Sequence, residues 1–115
     1  SEGNRWYNDE EIQATYDIIK FCRDHGMTPI LISTPLLSEY SDAVMENDPT
    51  FFDDFYGIIK KIVDETNVVY LDYSMDKDFN KEYLLFYNSD HLNREGARQF
   101  TNMVVEDVLI KNGNI

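Results

Sequence analysis

Two short apolar runs constrain the fold of this chain more than any other feature. Residues 27–33 read MTPILIS and residues 68–72 read VVYLD. Neither run alternates apolar with polar residues, as a strand with one face in water would. Continuous apolar runs of this length are typical of strands covered on both faces, as in a parallel sheet. We therefore predict two buried parallel strands, at Met27–Ser33 and Val68–Asp72.

Helical patterns precede and separate these runs. Asn8 and Glu11 have the spacing of a capping box, and a helix is predicted from there to a stop at Gly26. Its apolar positions are Ile12, Tyr16, Ile19 and Cys22. Asp48 and Pro49 predict the start of a second helix, with the proline at the first helical position. Its wide apolar stripe is expected in the core and comprises Phe51, Phe52, Phe55, Ile58, Ile59, Ile62 and Val63.

A last helix is predicted after Asn93, a good N-cap residue. Its apolar stripe is Ala97, Phe100, Val104, Val105 and Val108. Two segments stay open: residues 36–48 fit a helix or a loop, and Tyr83–Tyr87 fits a short strand or an extended loop. The order of elements indicates one α/β domain over residues 1–115, with a parallel sheet and right-handed crossovers.

Composition excludes several classes of function. Lys and Arg number 10 against 22 Asp and Glu, so the formal net charge is −12, which repels nucleic acid and anionic lipid surfaces. No segment approaches the roughly 20 continuous apolar residues of a membrane span, and no direct membrane contact is expected. Residues 1–9 lack the apolar core of a signal peptide, which leaves a processed or truncated product possible.

Cofactor motifs are not found either. Cys22 is the one cysteine, so no internal disulfide is possible, and no Cys/His pair has zinc-ligand spacing. The Asp76, Asp78 and Asn80 series resembles the start of a calcium loop, but Lys81 occupies the position of its obligatory glycine. We predict neither a metal nor another cofactor.

The chemistry-bearing stretch is Asn88–Phe100, which reads NSDHLNREGARQF. His91 lies in a short polar loop just before the last predicted helix, where open α/β folds place catalytic groups. Imidazole titrates near neutral pH and is a common general base. Without further context, a histidine here would more often serve to hydrogen-bond its loop to the helix that follows.

This stretch and the strands upstream resemble the last part of the SGNH (GDSL-type) hydrolase superfamily, especially its DltD-like and AlgJ-like branches. The resemblance implies a three-layer, flavodoxin-like parallel sheet with flanking helices, of which this chain would be a partial C-terminal half with two to three strands. In the family's Asp-x-x-His motif, His91 takes the position of the base and Asn88 that of the acid. Asp90 is adjacent, but its side chain is expected to point away from the ring.

The resemblance implies an ester hydrolase or acyltransferase that works through an acyl-serine, without a metal, on acyl groups of a small molecule or a glycan-type polymer. It also implies an extracytoplasmic or membrane-anchored parent protein. The chain has no Gly-Asp-Ser block, and its other family blocks would precede Ser1. We read the serines as strand-end or turn residues; these are Ser33, Ser38, Ser41, Ser74 and Ser89. The isolated chain is therefore predicted to be inactive.

Two hypotheses follow from these observations. The chain is the C-terminal part of such an enzyme, with His91 as its base, or it is a non-catalytic α/β module for binding or assembly. A sheet of two or three strands also leaves a long edge, which normally needs a cover or a partner. We therefore expect either further strands or a homo-oligomer formed through the exposed sheet edge.

Overall fold

Two parallel strands pack against helices of the fold. The computed structural model describes residues 6–111. Strand β1 (Ile30–Ser33) pairs in parallel with β2 (Val69–Asp72), and Ile30 lies opposite Val69. The predicted parallel pairing is confirmed, although β1 begins at Ile30 and β2 at Val69. The predicted burial on both faces is wrong, since the strands are only partly buried and Ile32 and Asp72 are exposed. Because the register is even, both strands reach their carboxyl ends together, at Ser33 and Asp72.

Helix α1 (Asp9–Asp24) has the predicted caps. The Asn8 side chain accepts a hydrogen bond from the Glu11 amide at 2.8 Å, and Gly26 has a positive φ of 73° just after the helix ends. The open segment 36–48 is helical, since α2 spans Ser38–Asn47. Helix α3 spans Phe51–Thr66 and starts later than predicted, because residues 48–50 form a turn in which the Phe51 amide bonds the Asp48 carbonyl.

The first hydrophobic cluster lies between α1, α3 and one face of the sheet. Its buried members are Ile19, Ile62 and Val68, and Leu31 of β1 packs against them. Two polar contacts join the helices: Arg23 donates to the Thr66 carbonyl, and the Tyr16 hydroxyl donates to Glu65 at 2.6 Å. At its end, α3 is closed by Asn67, whose left-handed backbone (φ 57°) turns the chain into β2.

The second hydrophobic cluster holds the C-terminal part of the chain. Leu37, Phe79 and Phe86 are buried in it, with Phe100 and Met103 packed against them. After a 3₁₀ turn at Tyr83–Leu85, β3 (Phe86–Asn88) and β4 (His91–Leu92) form a small antiparallel hairpin. Tyr83–Tyr87 is thus part 3₁₀ turn and part strand.

Helix α4 (Arg94–Val105) continues into a π-helical segment, Glu106–Lys111. Its predicted stripe is wrong at two positions, since Ala97 and Val105 are exposed. Instead, Gly96 is buried, and a Cβ at this glycine would overlap the Leu85 carbonyl oxygen. This close approach rotates the packed face of α4 toward Gly96, Phe100 and Met103.

The structure therefore shows a mixed α/β arrangement with two sheets of two strands each. The described residues do not show a three-layer parallel sheet. None of the helices between residues 6 and 111 combines the length and the hydropathy of a membrane span.

Candidate functional site

The connection between β3 and β4 is held against the carboxyl ends of the two parallel strands. The Leu37 amide donates to the Ser89 carbonyl at 3.0 Å, and the neighbouring Leu36 amide donates to the Ser74 carbonyl at 2.9 Å. The Tyr73 amide in turn bonds the Ser33 carbonyl. Segments that follow β1, β2 and β3 thus meet at one edge of the fold, where parallel sheets commonly carry ligand sites.

His91 has one ring nitrogen engaged and the other available. Its Nδ1 lies 2.8 Å from the side-chain oxygen of Asn88. The same oxygen accepts the Asp90 amide at 3.2 Å, and a backbone N–H can only donate. The atom facing both groups is therefore an acceptor, so Nδ1 carries the ring proton in the neutral imidazole. No described residue bonds Nε2, and the side chain is 68% exposed.

We predicted from the sequence that the Asp90 side chain points away from the imidazole, and this prediction is wrong. The Asp90 carboxylate oxygen Oδ1 lies 3.0 Å from Nδ1 of His91. The reason is the tight turn that Ser89 and Asp90 form between the paired residues Asn88 and His91. This turn places the side chains of Asn88 and Asp90 beside the imidazole. We call Asn88, Asp90 and His91 the histidine turn. In it, Asn88 supplies a neutral acceptor and Asp90 a negative charge.

Asn93 fixes the histidine turn from its C-terminal side. Its side-chain oxygen accepts from the Gly96 amide at 2.9 Å, which confirms the predicted N-cap. The sequence did not indicate two further bonds: the side-chain amide donates to the Leu84 carbonyl, and the backbone amide donates to the Leu85 carbonyl. One residue therefore joins the start of α4 to the 3₁₀ turn that leads into β3.

A second polar group, the tyrosine cluster, consists of Tyr56, Asp72 and Ser74. The Tyr56 hydroxyl donates to Oδ2 of Asp72 at 2.6 Å, and the Ser74 hydroxyl and amide both donate to Oδ1. Burial, followed by the bond to Asp72, raises the pKa of Tyr56 to about 12. Beside it, Ser33 bonds the Tyr70 hydroxyl at 2.6 Å, and burial raises the pKa of Tyr70.

Three of the five serines occupy the strand-end or turn positions that the sequence indicated, whereas Ser38 and Ser41 lie in α2, where Ser41 is buried. Ser33 ends β1, Ser74 lies in the turn after β2, and Ser89 lies in the loop between β3 and β4. Among the described residues, no serine hydroxyl bonds His91. The described part of the chain therefore shows an imidazole with two polar neighbours and no serine hydroxyl bonded to it.

A cleft of about 330 Å³ opens beside both polar groups. One wall is aromatic and consists of Tyr40, Phe51, Phe52, Phe55 and Tyr56. The rest of the lining is Ile32, Ser33, Thr34, Leu36, Ser74 and Asp90. The prediction that the three phenylalanines belong to the core is therefore incomplete, since these side chains form this wall.

Sequence reasoning did not identify Tyr56, Tyr70 or Asp72 as parts of this region. One signal was present: polar residues follow both predicted strands, at Ser33 and at Asp72, and parallel strands end at a common edge. No group of three or more His, Cys, Asp or Glu side chains among the described residues is arranged to hold a metal ion.

Comparisons with protein-family models, curated proteins and solved structures give no match to this chain, so the arrangement of its own residues must support any functional assignment.

Proposed function

We propose that this chain is the C-terminal part of an SGNH-like esterase or acyltransferase and that it supplies the general base, His91. The serine nucleophile would come from sequence outside these 115 residues. His91 would take the proton from the serine hydroxyl as its oxygen attacks the ester carbonyl, and would return that proton to the leaving alcohol. Water or an acceptor alcohol would then release the acyl group by the same proton transfers in reverse.

The observation that supports this proposal is the state of the two imidazole nitrogens. A general base needs one nitrogen held by an acceptor, which fixes the tautomer, and a second nitrogen with a free lone pair. Asn88 meets the first need at 2.8 Å, and the exposure of His91 leaves Nε2 open. The Asp90 carboxylate, 3.0 Å from Nδ1, supports the positive charge that the ring gains during reaction.

The fold proposed with this function is a three-layer, flavodoxin-like sheet to which β1 and β2 contribute two strands. Two features support it. Helices α1 and α3 already cover one face of these strands. Strand β1 also pairs with β2 alone within the described part of the chain, which leaves its other edge open. Strands from a longer protein would add to this edge.

Fluorophosphonate labelling of the protein expressed from its own start codon tests the proposal. We expect the label on a serine upstream of this segment, found by mass spectrometry of the modified peptide. His91→Gln should slow labelling by about 10²–10⁴-fold, the range that a general base contributes. His25→Gln is the matched control, since that ring stacks on Phe21 and bonds its carbonyl, and labelling should not change.

Asn88→Asp refines the same experiment. The opposite change in the serine protease triad costs about 10⁴ in turnover. Here the gain from Asn88→Asp should be smaller, because Asp90 already places a carboxylate near Nδ1, and larger when Asp90→Asn is also present. Labelling of His91→Gln at the wild-type rate, or no labelled serine in folded protein, would contradict the proposal.

A non-catalytic assembly module is the second candidate, and the open edge of β1 favours it. A strand edge with unpaired backbone groups is a template for another strand. Two apolar side chains of α1, Ile18 and Phe21, are also exposed. A second copy of the chain could cover both surfaces.

Sedimentation measurements over a range of protein concentrations test this candidate. Added salt screens the repulsion between chains of charge −12, so association should be strongest at high ionic strength. Ile32→Lys should abolish association, whereas Leu84→Lys, at a 90% exposed position on the 3₁₀ turn, should not. A monomeric mass under all conditions would exclude the assembly role.

A further inference from the structure

The cleft beside the histidine turn has an unusual combination of walls and charges. Five aromatic side chains line it, and four of them come from the first six residues of α3. Within the described residues, no Lys, Arg or His side chain lines the cleft, and Asp90 is the lining residue with a formal charge. An anionic ligand would meet this carboxylate with no lining cation to offset it.

The hydroxyl groups in the lining are mostly engaged within the protein. Ser74 and Tyr56 donate to Asp72, and Ser33 shares a hydrogen bond with Tyr70. Tyr40 and Thr34 are the hydroxyl-bearing residues left for a ligand. A sugar or another neutral polyol needs many donors and acceptors, because each of its hydroxyls loses water on binding. The cleft therefore offers too few free donors and acceptors for such a ligand.

An organic cation needs neither the lining cations nor the many free hydroxyl groups that the cleft lacks. The face of an aromatic ring attracts a quaternary or primary ammonium group without a hydrogen bond, and a nearby carboxylate adds to that attraction. Tyr56 is well suited to this role, because donation of its hydroxyl proton toward Asp72 enriches its ring in electron density.

We propose that this cleft binds an organic ammonium cation, with the cation against the phenylalanine and tyrosine rings and Asp90 as its counter-ion. The volume of about 330 Å³ leaves room for the part of the ligand attached to the ammonium group. Binding in the cleft does not require catalysis. One additional point rests on the proposed function. Because Asp90 contacts His91, an ester group attached to the bound cation would lie beside the proposed base.

NMR titration of the aromatic ring resonances with choline tests the inference on the chain as it stands. The control ligand is 3,3-dimethylbutan-1-ol, which has the shape of choline without its charge. We expect choline to bind in the millimolar range and about tenfold more tightly than the alcohol, as cation–π attraction to several rings and a carboxylate predicts. The single Trp6, whose ring centroid lies 4.7 Å from that of Phe51, gives a second readout by fluorescence.

Variants separate the contributions of charge and ring. Asp90→Asn should weaken choline binding about threefold to tenfold and leave the alcohol unaffected, while Asp78→Asn, a matched change on an exposed turn, should alter neither. Phe55→Leu keeps an apolar side chain and should also weaken choline selectively. Equal affinity for choline and the alcohol, an unaltered affinity in Asp90→Asn, or no choline binding by folded protein would each overturn the inference.

His91→Gln keeps this test apart from the test of catalysis. This variant should still bind choline, because His91 is not among the lining residues. Loss of labelling with retained choline binding therefore supports both proposals. Labelling that does not depend on His91, together with choline binding, contradicts the catalytic role alone.

Discussion

The tyrosine cluster and the histidine turn each contain an aspartate with polar neighbours, but they differ in how many of their polar atoms have a partner within the protein. Asp72 accepts from Tyr56 and twice from Ser74, so each oxygen of this carboxylate has a partner within the protein. His91 has a bonded Nδ1 and an Nε2 that no described residue bonds. Saturated polar groups hold structure, whereas a held ring with one open nitrogen can transfer a proton. The comparison separates a fully bonded polar group from one with an open ring nitrogen.

The two groups also differ in how the chain assembles them. The tyrosine cluster joins α3 to the end of β2, and its partners Tyr56 and Asp72 are 16 positions apart in sequence. The histidine turn forms within a single stretch, residues 88–91. A local arrangement depends on a tight turn, so its weak point should be the scaffold that holds that turn.

The most severe disruption should come from Gly96→Ala. A methyl group there would overlap the Leu85 carbonyl oxygen, so α4 would have to move away from the 3₁₀ turn. We expect a loss of about 3 kcal/mol in the free energy of unfolding, measured by urea denaturation. The histidine turn should be displaced with it, while the Tyr56 ring of the tyrosine cluster keeps its NMR shifts.

Gly57→Ala is the matched control for this change. Gly57 lies inside α3, and a methyl group added to its Cα would meet no atom of another element within 4 Å. Alanine also favours a helix more than glycine does, so the variant should gain about 0.5–1 kcal/mol. If Gly96→Ala were as stable as Gly57→Ala, the close contact between α4 and Leu85 could not be what positions His91.

A smaller loss of stability is expected when the tyrosine cluster is changed. Tyr56→Phe removes the hydroxyl bonded to Asp72 and should lower the free energy of unfolding near neutral pH by about 1 kcal/mol. Tyr87→Phe, at an 81% exposed position, should lower it by much less. Equal losses in the two variants would show that the bond to Asp72 contributes nothing to stability.

The same variant should change stability at alkaline pH. Burial and carboxylate partners raise the pKa of Tyr56 and Tyr73 to about 12, and a bond to Glu65 does the same for Tyr16. Unfolded tyrosine titrates near 10, so between about pH 10 and 12 the unfolded state binds fewer protons and stability falls as pH rises. Tyr56→Phe should make this fall less steep, as measured by urea denaturation.

Much of the secondary structure could be predicted because its signals are local. The caps at Asn8 and Asn93 and the stop at Gly26 depend on contacts within a few residues. The predicted start of α3 is wrong because Pro49 fits a turn as well as a first helical position. On α4, the prediction fails at Ala97 and Val105 because the Gly96 contact with Leu85, from a separate element, sets the packed face.

The candidate site shows the same limit. The sequence indicates Asn88, Asp90 and His91, and the structure brings them together, but the direction of the Asp90 side chain depends on the backbone of the turn. A pattern of apolar residues also tells which face of α3 is covered. It does not tell whether the phenylalanines face protein or an open cleft, which depends on where α2 and the end of β1 lie.

The pairing of β1 with β2 has a consequence for the order of folding. Ile30 meets Val69, so the parallel ladder closes a loop of roughly 40 residues, whereas the β3–β4 hairpin joins neighbours. Contacts between distant residues form more slowly than local ones. We expect the hairpin that carries His91 to form before the parallel pair, whose completed edge then gives Ser89 its partner and the imidazole its final position.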